Sequence, residues 1–191
     1  MKKEGIEALY RSQNTVFTFK DIALLLRENN AANLRSKVNY FVKKGDLYQV
    51  RKGLYTKEKD YVKFELATKI YTPSYVSFET VLLQSGVIFQ FYSQIWVASY
   101  LTREITIGDQ AYAYRKIKDS ALTNKTGIED KENYSIATPE RAFLDVVYLN
   151  GDYYFDRLSA LNWDRVFEIL PIYNNKRMEK KVHEYSQHQS T

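Results

Sequence analysis

The chain has 191 residues with a net charge of +5, 45% hydrophobic residues and no cysteine. This length allows two domains of common size, and the composition excludes a largely disordered chain, a disulfide framework and cysteine-based zinc or nucleophile sites. No apolar run approaches the roughly 18 residues of a membrane span and the first residues carry no signal-peptide core, so we expect a cytoplasmic protein with no membrane partner.

The first 45 residues predict three short helices. Apolar residues at helical spacing predict the first over about residues 3–12. Thr18 lies three residues before Asp21, so the hydroxyl can cap a second helix over about 19–28 while the carboxylate favours its N-terminus. In a third helix, which Gly45 closes, the apolar residues recur at i, i+4, i+7 and i+8: Leu34, Val38, Phe41 and Val42.

Two β-prone runs follow this third helix, Leu47–Val50 and Leu54–Thr56. The cationic residues Arg51 and Lys52 lie with Gly53 in the connection, which predicts a β-hairpin with a basic tip. Three helices, a tight turn between the last two and a basic hairpin after them are typical of a winged helix-turn-helix, whose recognition helix enters the DNA major groove. We therefore predict a winged helix-turn-helix DNA-binding domain over residues 1–60.

The third helix has a polar face that fits a major groove. With its apolar residues turned inward, Ala32, Ser36, Tyr40 and Lys43 point most directly outward, and Asn33 and Asn39 lie beside them. Asparagine can pair bidentately with adenine, and the flanking Arg35, Lys37 and Lys44 are within reach of phosphates. An ordinary solvated face is the alternative for this surface and for the hairpin tip.

The positive charge is confined to the first 60 residues. They hold 13 lysine and arginine residues against 7 acidic ones, whereas residues 61–191 hold 15 against 16. A basic segment favours binding to a phosphate backbone, because each neutralised phosphate releases counterions. A lysine-rich solvated surface remains the alternative on charge alone.

Residues 61–191 predict a second domain of mixed α/β type. A linking helix over 61–71 ends before Pro73, and Ser77 is placed to cap a helix that runs to Ser85. Thr138-Pro139-Glu140 begins another helix, which ends at Asn150-Gly151. Alternating and β-prone segments predict four strands: 95–99, 103–107, 110–117 and 134–137.

The connections and the C-terminal end complete the predicted fold. Gly108-Asp109 predicts a two-residue hairpin turn, and the polar residues 118–132 predict a loop. Helices are predicted over 154–161, 163–170 and 174–186, with Pro171 separating the last two. The predicted class is α+β: an N-terminal winged helix-turn-helix followed by a mixed α/β domain, residues 61–191, with a helical C-terminal end.

The sequence offers little for catalysis. Its two histidines, His183 and His188, lie in the polar tail, and it contains no phosphate-binding loop, dinucleotide fingerprint or metal-ligand spacing. Glu79 and Glu140 fall in predicted first turns, where the helix dipole explains them. Asp145 follows Arg141 by four residues, a spacing that favours a local ion pair over a nuclease site. We therefore expect no enzyme activity, cofactor or metal.

Four segments together resemble the AbiEi antitoxins of type IV toxin–antitoxin and abortive-infection systems. They are LRSKVNYFVKKGDLYQVRKGLYTKEK (34–59), SYVSFETVLLQSGVI (74–88), YSIATPERAFLDVVYL (134–149) and LSALNWDRVFEILPIYNNKRMEKKV (158–182). The order and spacing of the four segments carry the resemblance. The chain departs from the family near Gln84, where members often carry a histidine.

The resemblance implies a transcriptional autoregulator that binds double-stranded promoter DNA and counteracts a neighbouring nucleotidyltransferase-like toxin. The part after residue 61 would carry the neutralising activity. The implied DNA-reading positions are Asn33, Arg35, Ser36, Lys37, Asn39 and Tyr40, with Arg51 and Lys52 on the wing. Two alternatives stay open: a winged-helix regulator with no toxin that senses a ligand in its aromatic C-terminal domain, and a metal-dependent nuclease.

Overall fold

The computed structural model describes residues 6–187 of an α+β chain, which form two compact units that divide between Ile70 and Tyr71. Residues 3–5 of the predicted first helix, and His188, lie outside the described part. None of the helices within residues 6–187 has the length and apolar character needed to cross a bilayer.

The first unit contains four helices and a small sheet. Its helices are α1 (Ile6–Arg11), α2 (Phe19–Leu25), α3 (Ala31–Lys44) and α4 (Lys63–Ile70). Its strands are β1 (Val16–Thr18), β2 (Tyr48–Arg51) and β3 (Leu54–Thr56). The strands lie in the order β1-β3-β2, and both pairings are antiparallel. The β2–β3 hairpin was predicted from the sequence, whereas β1 was missed.

Local signals explain the helix ends in this unit. Thr18 and Asp21 form a reciprocal capping box at α2, with Oγ1 of Thr18 accepting from the Asp21 N–H at 3.1 Å. Gly45 ends α3 in the left-handed region at φ 78°, as its predicted role requires. The helix α2 is shorter than predicted, because Arg27 adopts φ 51° and breaks the helical path before residue 28.

The core of the first unit contains one inward face from each of its first three helices. The buried residues that pack together are Ile6, Leu9, Phe17, Ile22, Leu34, Val38, Leu47 and Tyr55. Phe41 and Val42 pack against this cluster while remaining half-buried. The predicted inward stripe of α3 is therefore the one that packs.

The helix α4 belongs to the first unit, and the predicted boundary after residue 60 differs from the observed one after residue 70. Glu65 is fully buried, and its Oε2 accepts from the N–H and hydroxyl of Thr15 at 2.8 and 2.7 Å. Lys69 donates to the Val16 carbonyl and to Glu65 Oε1. These contacts fix α4 to β1, whereas the sequence predicted a linker leading into the second domain.

The second unit is built on a six-stranded mixed sheet. Its strands are β4 (Ser74–Val76), β5 (Ile95–Ser99), β6 (Arg103–Ile107), β7 (Gln110–Lys116), β8 (Ile128–Asp130) and β9 (Ser135–Ala137), in the order β6-β7-β5-β4-β9-β8. The pairs β5–β7 and β4–β9 are parallel, and the other pairs are antiparallel. The Gly108-Asp109 turn joins β6 to β7 as predicted.

The described part of the second unit also contains five helices. They are α5 (Phe78–Gln84), α6 (Asp119–Leu122), α7 (Pro139–Asn150), α8 (Trp163–Ile169) and α9 (Lys176–Gln187), and 3-10 turns cover Leu158–Ala160 and Leu170–Tyr173. Thr138 caps α7 by accepting from the Arg141 N–H, with Pro139 in the first turn as predicted. The helix α5 packs on β5 and against α7, and α7 packs on β9, while α8 and α9 pack against α7.

Several predictions in this unit were wrong for identifiable reasons. The strand β4 was missed, and residues 118–132, predicted as a loop, contain α6 and β8. Ser77 does not cap α5, because its hydroxyl donates to Asp145 instead. Residues 154–161 form only the 3-10 turn at Leu158–Ala160, since Asp156 and Arg157 bond to the 87–89 segment. Pro171 lies inside a 3-10 turn that directly follows α8.

Candidate nucleic-acid interface

The orientation of α3 follows from its cap and its buried residues. The side-chain oxygen of Asn30 accepts from the N–H groups of Ala32 and Asn33 at 2.9 and 3.1 Å and starts the helix. Leu34 and Val38 are 2% and 1% exposed, which fixes the inward direction of the helix. The opposite face is therefore held at the surface of the first unit.

The predicted α3 residues are all exposed. They lie on the outer side and flanks of one helix: Asn33, Arg35, Ser36, Lys37, Asn39, Tyr40 and Lys43. Asparagine amides, a hydroxyl and cations thus share one helical surface, the combination that supplies base-edge and phosphate contacts in a major groove. We refer to these seven residues as the α3 face.

Internal contacts limit what some members of the α3 face can contribute. Lys37 Nζ lies 2.7 Å from Glu28 Oε2, an ion pair that the sequence did not predict. This lysine, together with the Asn30 N–H, holds the pKa of the Glu28 carboxyl below its ordinary value, so Glu28 stays charged near the helix. The hydroxyl of Ser36 donates to the Ala32 carbonyl at 3.1 Å, which leaves its oxygen as an acceptor.

An aromatic–cation stack occupies the C-terminal half of α3. Nζ of Lys44 lies 4.9 Å from the centre of the Tyr40 ring, and a hydrogen bond to the same tyrosine raises the pKa of Lys44. The Tyr40 ring also meets Phe41 edge to face, with centroids 5.9 Å apart. The contacts with Lys44 and Phe41 hold the Tyr40 ring in place, and the residue remains 38% exposed to solvent.

The hairpin presents its two predicted cations differently. Arg51 is the last residue of β2 and is half-buried, whereas Lys52 lies exposed in the turn. The Phe19 N–H donates to the Gly53 carbonyl at 3.2 Å, which ties the turn to the start of α2. The prediction that both cations lie at the tip therefore holds for Lys52, while Arg51 belongs to the strand.

The sequence did not reveal which other cations of the first unit are used internally. Lys57 donates to the Ser12 carbonyl and Lys69 to Glu65, at 2.8 and 2.9 Å. Arg35, Lys43 and Lys52 are exposed by contrast. The Lys69–Glu65 pair has the i,i+4 spacing of a helical ion pair, whereas the Ser12 partner of Lys57 lies 45 residues away and leaves no local sequence signal.

Asp145 in the second unit lies in a buried polar network. Its side chain is completely buried, and it accepts from Ser77 Oγ at 2.7 Å and from the hydroxyls of Tyr75 and Tyr173. The predicted ion pair with Arg141 is confirmed, with Nε of Arg141 3.4 Å from Oδ1. Burial raises the pKa of Asp145, and the nearby guanidinium opposes that rise.

Arg141 is anchored on its other side by backbone carbonyls. It donates to Thr126 O and Ala121 O at 2.9 and 2.6 Å, which ties α7 to the segment around α6. Such a fully satisfied buried network holds elements together and leaves its carboxylate no free oxygen. Within residues 6–187, no cluster of three or more histidine and carboxylate side chains is arranged to hold a metal ion.

Large aromatic side chains are exposed in two neighbouring segments of the second unit. Phe89, Phe91 and Tyr154 are 63%, 77% and 80% exposed. The Phe89 N–H donates to Asp156 Oδ2 at 2.8 Å, so the two segments meet. Clustered exposed aromatic rings are typical of protein interaction surfaces.

No protein-family model and no curated protein matches this chain. One solved structure that it resembles is the RV2827C protein from Mycobacterium tuberculosis, with a TM-score of 0.47 and 10% sequence identity. The alignment covers 95% of this chain and 80% of that one. At this level of likeness we draw no conclusion about family or function.

Proposed function

We propose that the first unit is a winged helix-turn-helix that binds double-stranded promoter DNA. In this proposal α3 lies in the major groove and the β2–β3 hairpin is the wing. The observation that carries it is the α3 face, on which amide, hydroxyl and cationic groups are exposed together while Leu34 and Val38 anchor the opposite side.

The topology of the unit supports this proposal. A helix and a strand precede the helix pair α2–α3, and a hairpin follows α3 directly. The β1-β3-β2 order places the hairpin in a sheet with β1, and the Gly53 contact ties its turn to α2. This arrangement would join the proposed recognition helix and the hairpin turn that carries Lys52 in one compact unit.

The proposed chemistry divides the residues by role. Asn33, Ser36 and Asn39 would contact base edges, since an asparagine amide matches the adenine N6 and N7 positions. Arg35, Lys43 and Lys52 would contact phosphates, which position the protein without reading sequence. Lys37 would contribute less than these cations, because Glu28 already neutralises it.

We further propose that the chain represses its own promoter and acts as an antitoxin against a neighbouring nucleotidyltransferase-like toxin. The four segments that resemble the AbiEi family support this second part. The exposed rings of Phe89, Phe91 and Tyr154 give the second unit a surface suited to a protein partner. Contact with the toxin could be direct or indirect under this proposal.

Autorepression can be tested with a reporter fused to the chain's own upstream region. The full-length protein supplied in trans should lower reporter output, and Arg35→Ala together with Lys43→Ala should restore it. Arg103→Ala, an exposed arginine on β6, serves as the matched control and should repress normally. Repression by the double variant equal to that of the wild type would argue against α3 as the recognition helix.

The antitoxin part can be tested by growth under induction of the neighbouring toxin. The intact chain should rescue growth, whereas residues 1–70 should bind DNA and leave the cells unprotected. The fragment ends at 70 because α4 is bonded to the rest of the unit, with Glu65 accepting from Thr15 and Lys69 donating to the Val16 carbonyl of β1. Rescue by the fragment would show that repression alone protects, and failure of the intact chain would remove the antitoxin role.

The two alternatives predict different outcomes. A metal-dependent nuclease would degrade DNA when magnesium is added and lose that activity in Asp145→Ala. The engagement of both Asp145 oxygens by Ser77, Tyr75 and Tyr173 speaks against this alternative. A regulator without a toxin would repress normally and have no toxin gene beside its own.

A further inference from the structure

The second unit contains a cavity of about 340 Å³ with a mixed apolar and polar lining near the end of α7. Residues of α5, β5, β7 and α7 line it together with Thr102. The polar and aromatic side chains that matter here are Glu79, Trp96, Thr102, Arg115, Lys116 and Asn150. None of these residues takes part in the DNA binding proposed for the first unit.

One wall of the cavity is a stack of an arginine on an indole. The guanidinium carbon of Arg115 lies 4.7 Å from the centre of the Trp96 ring. Trp96 is 9% exposed, and its ring is held edge to face by Tyr92, with centroids 6.3 Å apart. Arg115 is half-buried and forms an ion pair with Glu104 on the exposed strand β6, with a nitrogen–oxygen distance of 3.6 Å. A guanidinium plane stacked in this way offers a flat cationic surface to a planar ring.

Glu79 supplies a carboxyl group on the same cavity. Its side chain is 8% exposed, and burial raises its pKa while Arg115 and a hydrogen bond from Tyr153 oppose the rise. The indole N–H of Trp96 is buried with no hydrogen-bond partner among the described residues. Leaving a buried donor such as this indole N–H without an acceptor is costly.

Backbone strain lies at the edge of the cavity. Phe78, which precedes Glu79, has φ 55°, a left-handed conformation that is unfavourable for a bulky aromatic residue. Strained residues held by their surroundings cluster at functional sites. Here the strained residue starts α5 and sets the position of Glu79.

A second cavity of about 380 Å³ adjoins the first through the shared residues Leu149 and Asn150. Its cationic lining comes from α9: Arg177, Lys180 and Lys181. Lys181 pairs with Asp152 and Glu184, whereas Arg177 and Lys180 are exposed. The two cavities thus place a planar, partly polar surface beside a cationic one.

We propose that these adjoining cavities bind a nucleoside monophosphate or a close relative, with the base against Arg115 and Trp96 and the phosphate beside Arg177 and Lys180. Glu79 and the Asn150 amide hydrogen-bond the edge of the base. The site lies wholly in the second unit and goes beyond the proposed DNA binding. Occupancy would give the regulator a small-molecule input.

The test uses the fluorescence of Trp96 in the full-length chain. The chain has two tryptophans, so Trp163→Phe leaves Trp96 as the single reporter in the cavity. Titration with adenosine and guanosine monophosphates should give a saturable change in emission for at least one of them. Calorimetry on the wild-type chain with the same nucleotides checks that the substitution has not altered binding.

Matched variants assign the two halves of the site. Arg115→Ala and Arg177→Ala should each weaken nucleotide binding by about tenfold or more, while Arg103→Ala on β6 should bind like the wild type. No saturable binding by either method would overturn the proposal. The proposal would also be overturned if the free nucleoside bound as tightly as its monophosphate, or if inorganic phosphate bound as tightly as either of them. No DNA is present, so the result is independent of the function proposed for α3.

Discussion

Lys37 on α3 and Glu28 before it form an ion pair, with Nζ of Lys37 2.7 Å from Oε2 of Glu28. The same carboxylate accepts from the Asn30 N–H at 3.0 Å, and Asn30 in turn caps α3. A lysine on the proposed recognition helix is therefore partly neutralised before DNA arrives. The acidic group also lies near the surface that would meet phosphates.

This pair predicts unequal effects of two lysines on DNA binding. Lys43→Ala should lower the slope of log affinity against log salt by about 1, as the loss of one phosphate contact requires. Lys37→Ala should lower it by less, and Glu28→Gln should tighten binding by removing a negative charge and releasing Lys37. Fluorescence anisotropy over a salt series measures all three. An equal slope change for the two lysine variants would show that the ion pair does not persist on DNA.

Helix and wing residues should separate in a specificity assay. Asn33→Ala and Ser36→Ala should change which sequences are preferred, whereas Arg51→Ala and Lys52→Ala should weaken binding to all sequences alike. Selection from a randomised duplex library gives the preferences, and circular dichroism checks folding, which matters for the half-buried Arg51. A changed preference in the wing variants with none in the helix variants would show that α3 is wrongly assigned.

The buried Glu65 should contribute strongly to the stability of the first unit. Glu65→Ala leaves the Thr15 N–H and hydroxyl without this acceptor and removes a partner of Lys69, so we expect a loss of about 3 kcal/mol. Hydrogen exchange of amides in residues 6–70 measures the effect on this unit. Asp60→Ala, at an exposed acid, is the control and should change little. A loss for Glu65→Ala no larger than the control's would contradict the structural role of α4.

Glu79 should make the second unit pH-sensitive. Burial raises its pKa above the ordinary value of 4.5, so its contribution to stability is fully present below about that pH and is lost as pH rises through the folded pKa. Glu79→Gln, which cannot ionise, should therefore gain stability relative to the wild type between about pH 4.5 and pH 7. Thermal unfolding followed by tryptophan emission reports this unit, since Trp96 and Trp163 both lie in it. If the stability advantage of Glu79→Gln over the wild type stays constant or shrinks with rising pH, the pKa of Glu79 is not raised in the folded chain.

Local signals made much of the fold predictable. The Thr18–Asp21 capping box, the Gly45 end of α3 and the Thr138-Pro139 start of α7 act over a few residues, and each was read correctly. The three-residue strands β1 and β4 were missed, because so short a segment shows no periodicity and forms through pairing with distant strands. The parallel pairing of β5 with β7 has the same non-local origin.

The candidate site was predictable only in its outline. The apolar period of α3 indicated which side faces outward, and that side is exposed. The Lys37–Glu28 pair, the burial of Arg51 and the anchoring of α4 depend on contacts between separate elements. The role of Ser77 was misjudged for a similar reason, since Asp145, 68 residues later, takes its hydroxyl.

The central claim, that the α3 face and the hairpin bind promoter DNA, is tested most directly by anisotropy of the full-length chain with its labelled upstream duplex over a salt series. With about three phosphate contacts from Arg35, Lys43 and Lys52, affinity should fall by about fortyfold from about 50 to about 200 mM salt. Binding to the upstream duplex should also exceed binding to a shuffled duplex of equal length at each salt concentration. Affinity that is independent of salt, or equal for the two duplexes, would contradict the claim.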